Sequence, residues 1–397
     1  LPKPQQFHYF CSHKVSIQEA ALMSAKVNIE PRMITWAIAR AGFPLKDFTE
    51  KHPNVLEWLE QKKQPTVKQL EDFSNKVYLP FGYLFLPEPP IEQVPIPFFR
   101  TGQSNATKVS LPVQETVRIL KYRQDWLSDY LQENDGEPLG FVGRFGLNNT
   151  PEEIAADMRN TLNLTQDWAA QLPTWSDAKS FLTQKIEDAG IVVVFNSVVE
   201  NNNHRKIEVA ECRGFVLVNQ YAPFLFVNSA DSKAAQMFTL AHELAHVWAG
   251  HSAGFDSRQM LPADDPIERL CDQVAAEFLV PSTEFERFWA EMPHIEAAAR
   301  HFKVSPIVAG RRALDLGLID KNIFFGFYND YIHRDFEKKA NQSGGGDFYA
   351  TQRVRLGRAF IARIHQALKS GKILHRDVYR LTGLKGDTYQ SFVQKIL

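Results

Sequence analysis

Cysteine is scarce in this chain of 397 residues. The three present, Cys11, Cys212 and Cys271, are odd in number and far apart, which excludes a disulfide framework. Net charge is nearly absent too. Lys and Arg number 45 against 46 Asp and Glu, leaving -1 at pH 7, and so balanced a surface argues against indiscriminate attraction to nucleic acid. No apolar run approaches the roughly 20 residues that span a bilayer, so no membrane partner is expected. Residues 1–10 lack the basic-then-apolar order of a secretory signal, and the expected compartment is the cytoplasm. The first methionine is Met23, and residues 1–28 are expected to form an N-terminal extension. Ser343-Gly344-Gly345-Gly346 has no Lys-Ser/Thr behind it and is read as a hinge rather than a phosphate loop. What the chain does have is 44% hydrophobic residues, enough at this length to build cores for two or three domains.

The most informative stretch is His242-Glu243-Leu244-Ala245-His246. On a helix, residues four apart share a face, so both imidazoles can point at one zinc ion. Glu243 then lies beside the ion, placed to take a proton from an attacking water. Residues 234–248 are apolar nearly all round, as in a buried core helix, and two histidines and a glutamate there need a reason. A purely structural zinc site has no use for Glu243.

Catalytic zinc usually takes three protein ligands. Residues 267–281 are helical in pattern and stopped by Pro281. Within them Glu268 is the expected third ligand. Asp272, four residues on and on the same face, is expected to hold a ligand imidazole in the right tautomer. Glu277 and Cys271 are the competitors. Glu277 lies about 180° round the helix from Glu268 at roughly 100° per residue, and Cys271 reads as a small buried hydrophobe.

The residues from 210 to 281 resemble the ImmA/IrrE family of zinc metallopeptidases. The matching residues are Cys212-Arg213-Gly214-Phe215, Pro223-Phe224-Leu225-Phe226-Val227-Asn228, the run from Phe238 to His246, and Glu268-x-x-Cys271-Asp272-x-x-Ala275-Ala276-Glu277-Phe278-Leu279-Val280-Pro281. The resemblance implies a gluzincin-like protease whose targets are often DNA-binding repressors. Family members often carry Asn where this chain has Asp272, and a carboxylate should orient an imidazole at least as well.

The expected fold class is α+β in several pieces. Residues 29–90 form an all-α module that looks like an XRE-type helix-turn-helix, with Pro31 opening the first helix, Gly42 closing it, and Thr66 capping the last. Its expected recognition segment, residues 54–61, offers Glu57 and Glu60 but no Arg or Lys. The whole stretch 31–80 holds eight Lys/Arg against six Asp/Glu, a weak electrostatic footprint for a DNA reader. Residues 91–150 are read as a proline-bearing linker and a helix from about Pro112 to Glu133. Residues 151–335 are read as the zincin-like peptidase, with β-rich runs at 191–195, 214–218 and 224–227 forming a small sheet against the helix of His242. Residues 216–218 or 224–227 are candidate edges for pairing an extended substrate, with interior strands as the equal alternative. Residues 295–305 and 307–318 form a second helix-turn-helix-like pattern, read as part of the peptidase. Residues 343–397 are expected to be a helical C-terminal domain with basic helices at 353–370 and 375–382, read as a solvated face, with a surface for nucleic acid or an acidic partner as the alternative.

The leading expectation is a zinc-dependent endopeptidase acting on a regulatory protein, with His242, His246 and Glu268 holding zinc and Glu243 as general base. An oxyanion-stabilising group is also required, and His251, His294, His301, Tyr328, Tyr331 and His333 are available. The alternative is a DNA-binding regulator, or the antitoxin of a PIN-like ribonuclease toxin, since related fusions pair with such toxins. A non-catalytic zinc scaffold is the third class.

Overall fold

The computed structural model describes residues 25–90, 92, 98–100, 109–256, 265–333 and 347–396. The chain divides into two compact units, residues 1–93 and 94–397. Most of the expected N-terminal extension, the linker prolines Pro95 and Pro97, and the Ser343–Gly346 hinge lie outside the described residues.

The first unit is helical. Its helices are α1 (Pro31–Arg40), α2 (Leu45–Lys51), α3 (Pro53–Leu59) and α4 (Val67–Lys76), followed by a 3-10 turn at Phe81–Phe85. Met33, Ile34 and Ile38 from α1 meet Phe48, Trp58, Leu70 and Phe73 in one core. Thr66 caps α4 in a reciprocal capping box with Gln69, which satisfies two orphan donors at once. Val27, near the end of the expected extension, donates to the Pro65 carbonyl at 2.9 Å, so residues 25–28 dock on this unit. The expected recognition segment is the seven-residue α3, and the nearby cations are already engaged. Lys63 pairs with Glu57, Lys62 with Glu60, and Lys68 with Asp72.

The second unit is built on a five-stranded sheet in the order β1-β7-β5-β6-β2. Its strands are β1 (Phe98–Arg100), β2 (Val192–Asn196), β5 (Gly214–Leu217), β6 (Phe224–Asn228) and β7 (Ala253–Asp256). β3 (Val198–Val199) and β4 (Asn202–Lys206) form a separate hairpin. β2 and β6 run parallel, while β5 is antiparallel to both of its neighbours. The candidate substrate-pairing runs 216–218 and 224–227 fall on β5 and β6. Both are interior, their backbone groups taken by neighbouring strands, so neither offers an edge. The outer strands are β1 and β2.

The central strands are buried on both faces, which is why they read as continuous apolar runs. Side chains still alternate between two cores. Val193, Phe195, Val216, Leu225 and Val227 face a cluster containing α8 (Lys233–Ala249) and α9 (Pro266–Leu279). Val192, Val194, Phe215, Leu217, Phe224 and Phe226 face the other cluster, with α5 (Leu111–Gln132) and the C-terminal helices. Each such fully buried side chain contributes about 1.5–3 kcal/mol. Gln124 of α5 fastens that helix to the sheet, its amide donating to the Leu217 and Ala222 carbonyls at 2.6 and 2.9 Å.

Between α5 and β2 stand α6 (Pro151–Thr161) and α7 (Trp175–Asp188). Beyond α9 come α10 (Ser282–Glu291), α11 (Ile295–Phe302), α12 (Pro306–Asp315) and α13 (Lys321–Ile332). The cations of the second helix-turn-helix-like pattern have partners within the unit. Arg312 of α12 pairs with Glu277 and donates to the Val280 carbonyl, and Arg311 pairs with Asp315.

The C-terminal residues form α14 (Phe348–Leu356), α15 (Arg358–Lys369), α16 (His375–Thr382) and α17 (Gly386–Ile396). The continuous helix expected over 353–370 is interrupted at Gly357, whose φ of +80° is left-handed. A Cβ there would lie 2.9 Å from Val192 Cγ1 and 3.0 Å from the Val193 carbonyl oxygen, so glycine also permits close approach to β2. The tail shares its apolar core with the sheet and α5 rather than enclosing a separate one. No helix among the described residues is long and apolar enough to cross a membrane.

Candidate metal centre

Two helices supply the site. Ser232 caps the N-terminus of α8, accepting from the Ala235 amide, and Gly250 ends the helix in a left-handed turn. Gln236 anchors the first turn, its amide donating to the Ser229 and Asp231 carbonyls while its oxygen accepts from Lys179. α9 is opened by Asp265, which accepts from the Ile267 and Glu268 amides, and by Pro266 in its first turn. The two helices pack against one another, and α8 lies on β5 and β6.

The pairing brings His242 and His246 of α8 up to Glu268 of α9, all three buried. His242 Nε2 and His246 Nε2 are 3.1 Å apart. The Glu268 carboxylate lies 3.2 Å from the first and 3.3 Å from the second. Among the described residues this is the cluster of His, Cys, Asp and Glu whose ligand atoms converge closely enough to hold a metal ion. Asp272, one turn further along α9, contacts His242 Nδ1 at 3.0 Å and so turns Nε2 toward the cluster. His246 Nδ1 has no such hydrogen bond among the described residues, and Asp272 orients one imidazole of the two.

Burial works against charge on His242, but the hydrogen bonds to Asp272 and Glu268 outweigh it and raise its pKa to about 10. Burial pushes Glu268 up, and the bonds from His242 and His246 more than reverse this, bringing it to about 2. Glu243 is different. It is fully buried, and among the described residues neither carboxylate oxygen has a hydrogen-bond partner. Burial therefore drives its pKa well above the usual carboxylate range, against the pull of His242. A buried carboxylate left unpaired is costly unless something compensates it. Two imidazole nitrogens and a carboxylate converging beside it form the N/O donor set that zinc takes. The residues fit a divalent cation.

The competitors are placed elsewhere. Glu277 turns away to Arg312 and accepts from the Ser282 amide at 3.2 Å, joining the end of α9 to the start of α10. Cys271 is a free thiol packed in the apolar core, where burial raises its pKa. Three of the oxyanion candidates have other partners. His294 caps α11, His301 packs on Phe288 at 4.5 Å, and His333 contacts the Asn329 carbonyl at 2.7 Å.

One site residue escaped functional reading of the sequence. A Cβ on Gly214 would stand 2.5 Å from Thr239 Cγ2, 2.9 Å from the Phe226 carbonyl oxygen and 3.0 Å from Glu243 Oε1. Only glycine lets β5 pass so close to the helix that carries Glu243. The glycine is visible in the sequence, but its neighbours come from two other elements, so spacing alone does not single it out.

No curated protein matches the chain. Residues 356–395 match a family described as a domain of unknown function, DUF8813. Residues 186–314, which include β2 through α8, α9 and nearly all of α12, match the family model described as the IrrE N-terminal-like domain, Peptidase M78.

Proposed function

We propose that this chain is a zinc-dependent endopeptidase of gluzincin type that cleaves a regulatory protein, with a DNA-binding repressor as the substrate class. The observation that carries the reading is the unpaired, buried Glu243 carboxylate beside the His242, His246 and Glu268 cluster. The match to a peptidase family over residues 186–314 supports it. His242, His246 and Glu268 would hold the ion, and Asp272 would fix the tautomer of His242. Bound there, zinc would supply Lewis acidity, making a water nucleophilic near neutral pH and polarising the peptide carbonyl. Glu243 accepts the proton as the water attacks the carbonyl carbon. It then returns that proton to the leaving amine as the C–N bond breaks. Enclosure by α8, α9 and β5 strengthens each of these electrostatic contacts by excluding solvent.

The choice of a repressor as substrate rests on the resemblance to ImmA/IrrE proteins and on the helical unit at residues 31–85. A role in which that unit reads DNA is disfavoured by charge, since Lys62, Lys63 and Lys68 already face carboxylates.

The test is metal content and cleavage for wild type beside Glu243→Gln, each incubated with the DNA-binding or toxin protein encoded next to it. One zinc per chain in both, with cleavage by wild type alone, is the expected result. Zinc in both with no cleavage, together with a stable complex with the neighbour, would replace the protease reading with the antitoxin one.

A further inference from the structure

On the other face of the sheet from the metal centre lies a cleft of about 460 Å³. It is closed on one side by α14 and α16 and on the other by α5, the end of β2 and the β3–β4 hairpin. We propose that this cleft binds a small phosphate-bearing ligand of nucleotide size, held by Arg123, Arg355 and Arg380. The volume lies within the range of small-molecule sites.

The charge of the lining sets the ligand class. Three guanidinium groups face one carboxylate, Glu200. Arg123 is 7% exposed, and among the described residues its hydrogen bond is from Nε to the Leu381 carbonyl at 2.8 Å. It forms no ion pair among those residues, so it is a buried cation with guanidinium donors left over. Burial pulls its pKa down to about 10 even with Glu200 acting in the opposite sense. An isolated buried charge is costly, and an anion accepting from it would offset that cost.

Arg355 is positioned by its neighbours. It donates through Nη1 to Asn201 Oδ1 at 2.7 Å, and Gln352 donates to the same oxygen at 2.6 Å. That oxygen is neutral, and among the described residues Arg355 forms no ion pair. Nearby Arg358, by contrast, pairs with Asp188. Planar guanidinium forks favour phosphate and carboxylate, and three of them suit a group carrying more than one negative charge. Tyr379 stands at the mouth, 43% exposed, and offers a ring on which a base can stack. These residues come from segments as far apart as α5 and α16. Of the two helices on that side of the cleft, α16 lies within residues 356–395, matched to a domain of unknown function, and thus gains a task.

The test is calorimetric titration of the full, metal-loaded chain with adenosine monophosphate and with inorganic phosphate. Saturable one-to-one binding of the nucleotide is expected, with phosphate competing more weakly and with melting temperature rising as nucleotide is added. Arg355→Ala and Arg380→Ala should each weaken nucleotide binding about tenfold, as expected for loss of a charge-assisted contact. Both lie nearer the rim than the buried Arg123 and should leave zinc content at the wild-type value, and Arg380, which is exposed, should leave the ligand-free melting temperature there too. Arg123→Met should abolish binding, but because that side chain is buried the rim variants carry the decision. Absence of saturable binding to either probe at millimolar concentration would overturn the proposal, as would nucleotide binding unchanged in the double rim variant. Tight binding of single-stranded oligonucleotide with none of mononucleotide would overturn it in favour of a nucleic-acid surface.

Discussion

The two faces of the central sheet carry polar clusters of opposite sign, the first wholly buried and the second buried, among its arginines, at Arg123 alone. Under β5 and β6, α8 and α9 gather imidazole and carboxylate groups whose lone pairs converge and whose Glu243 has no donor among the described residues. On the reverse face, α5, α14 and α16 gather guanidinium donors around Arg123, which forms no ion pair among the described residues. Both arrangements cost folding free energy in isolation, and such costs persist where a ligand offsets them. They differ in covalent reach. His242, Glu243 and His246 lie within five consecutive residues, and Glu268 comes from the adjoining helix. Arg123 and Arg380 come from opposite ends of the unit and meet only because the tail folds back over β2 at Gly357. A local constellation can be read from spacing, whereas a distributed one exists only once the chain has folded.

If the comparison holds, the largest effect belongs to Glu243. Replacing it with Gln should lower peptide cleavage by about 10²- to 10⁴-fold, the usual weight of general acid–base catalysis. Zinc content should stay near one per chain, because Glu243 is not among the converging ligand atoms. Retained cleavage in this variant would remove the distinction drawn between Glu243 and the three ligands.

Next comes metal removal, which tests whether the two clusters are independent. Chelation, or Glu268→Ala, should empty the site of zinc and lower the melting temperature, since an ion bound only by the folded state stabilises it by mass action. Nucleotide binding on the far face should survive unchanged. A parallel loss of nucleotide affinity in calorimetry would mean that the faces are coupled through the sheet.

How much of this was legible obeys the same division. The β-rich runs, the helix bearing His242 and the cap at Thr66 are written in local pattern, and they form within a residue or two of expectation. The pairing of Asp272 with His242 is a consequence of helical geometry once α8 and α9 are neighbours. Strand order is not local. Residues 216–218 and 224–227 looked as suited to an edge as to an interior, and what buries them is β7 and β2, contributed from elsewhere in the chain. The break at Gly357 was hidden because the apolar periodicity continues across it, and its left-handed φ and the proximity of Val192 together explain the glycine. The arginines at 355 and 380 looked like part of a solvated face because the groups opposite them, Arg123 and Asn201, lie more than 150 residues away.

A smaller effect is expected at Gly214, which sharpens the geometry on the metal face. Gly214→Ala places a methyl within 3.0 Å of the Phe226 carbonyl oxygen, a backbone atom that cannot swing aside, and against Thr239. Overpacking of this kind costs about 1–3 kcal/mol, readable by denaturant unfolding. The variant should also lose activity, because the same methyl crowds Glu243 Oε1. Stability lost with activity intact would place Gly214 in the packing alone.

The smallest effect is expected from Asp272→Asn, and its value lies in its contrast with Asp272→Ala. The Asp272 contact to His242 Nδ1 at 3.0 Å does two things at once. It orients the ring, and it adds negative charge that makes Nε2 a stronger donor to a metal. Asparagine keeps an acceptor oxygen for the N–H and removes only the charge, whereas alanine removes both. Alanine should therefore weaken zinc affinity about 10- to 100-fold, and asparagine by less than about tenfold, in competition with a calibrated chelator. Equal losses would assign the whole effect to charge. No loss in either variant would show that packing of α9 on α8 holds His242 in place without help.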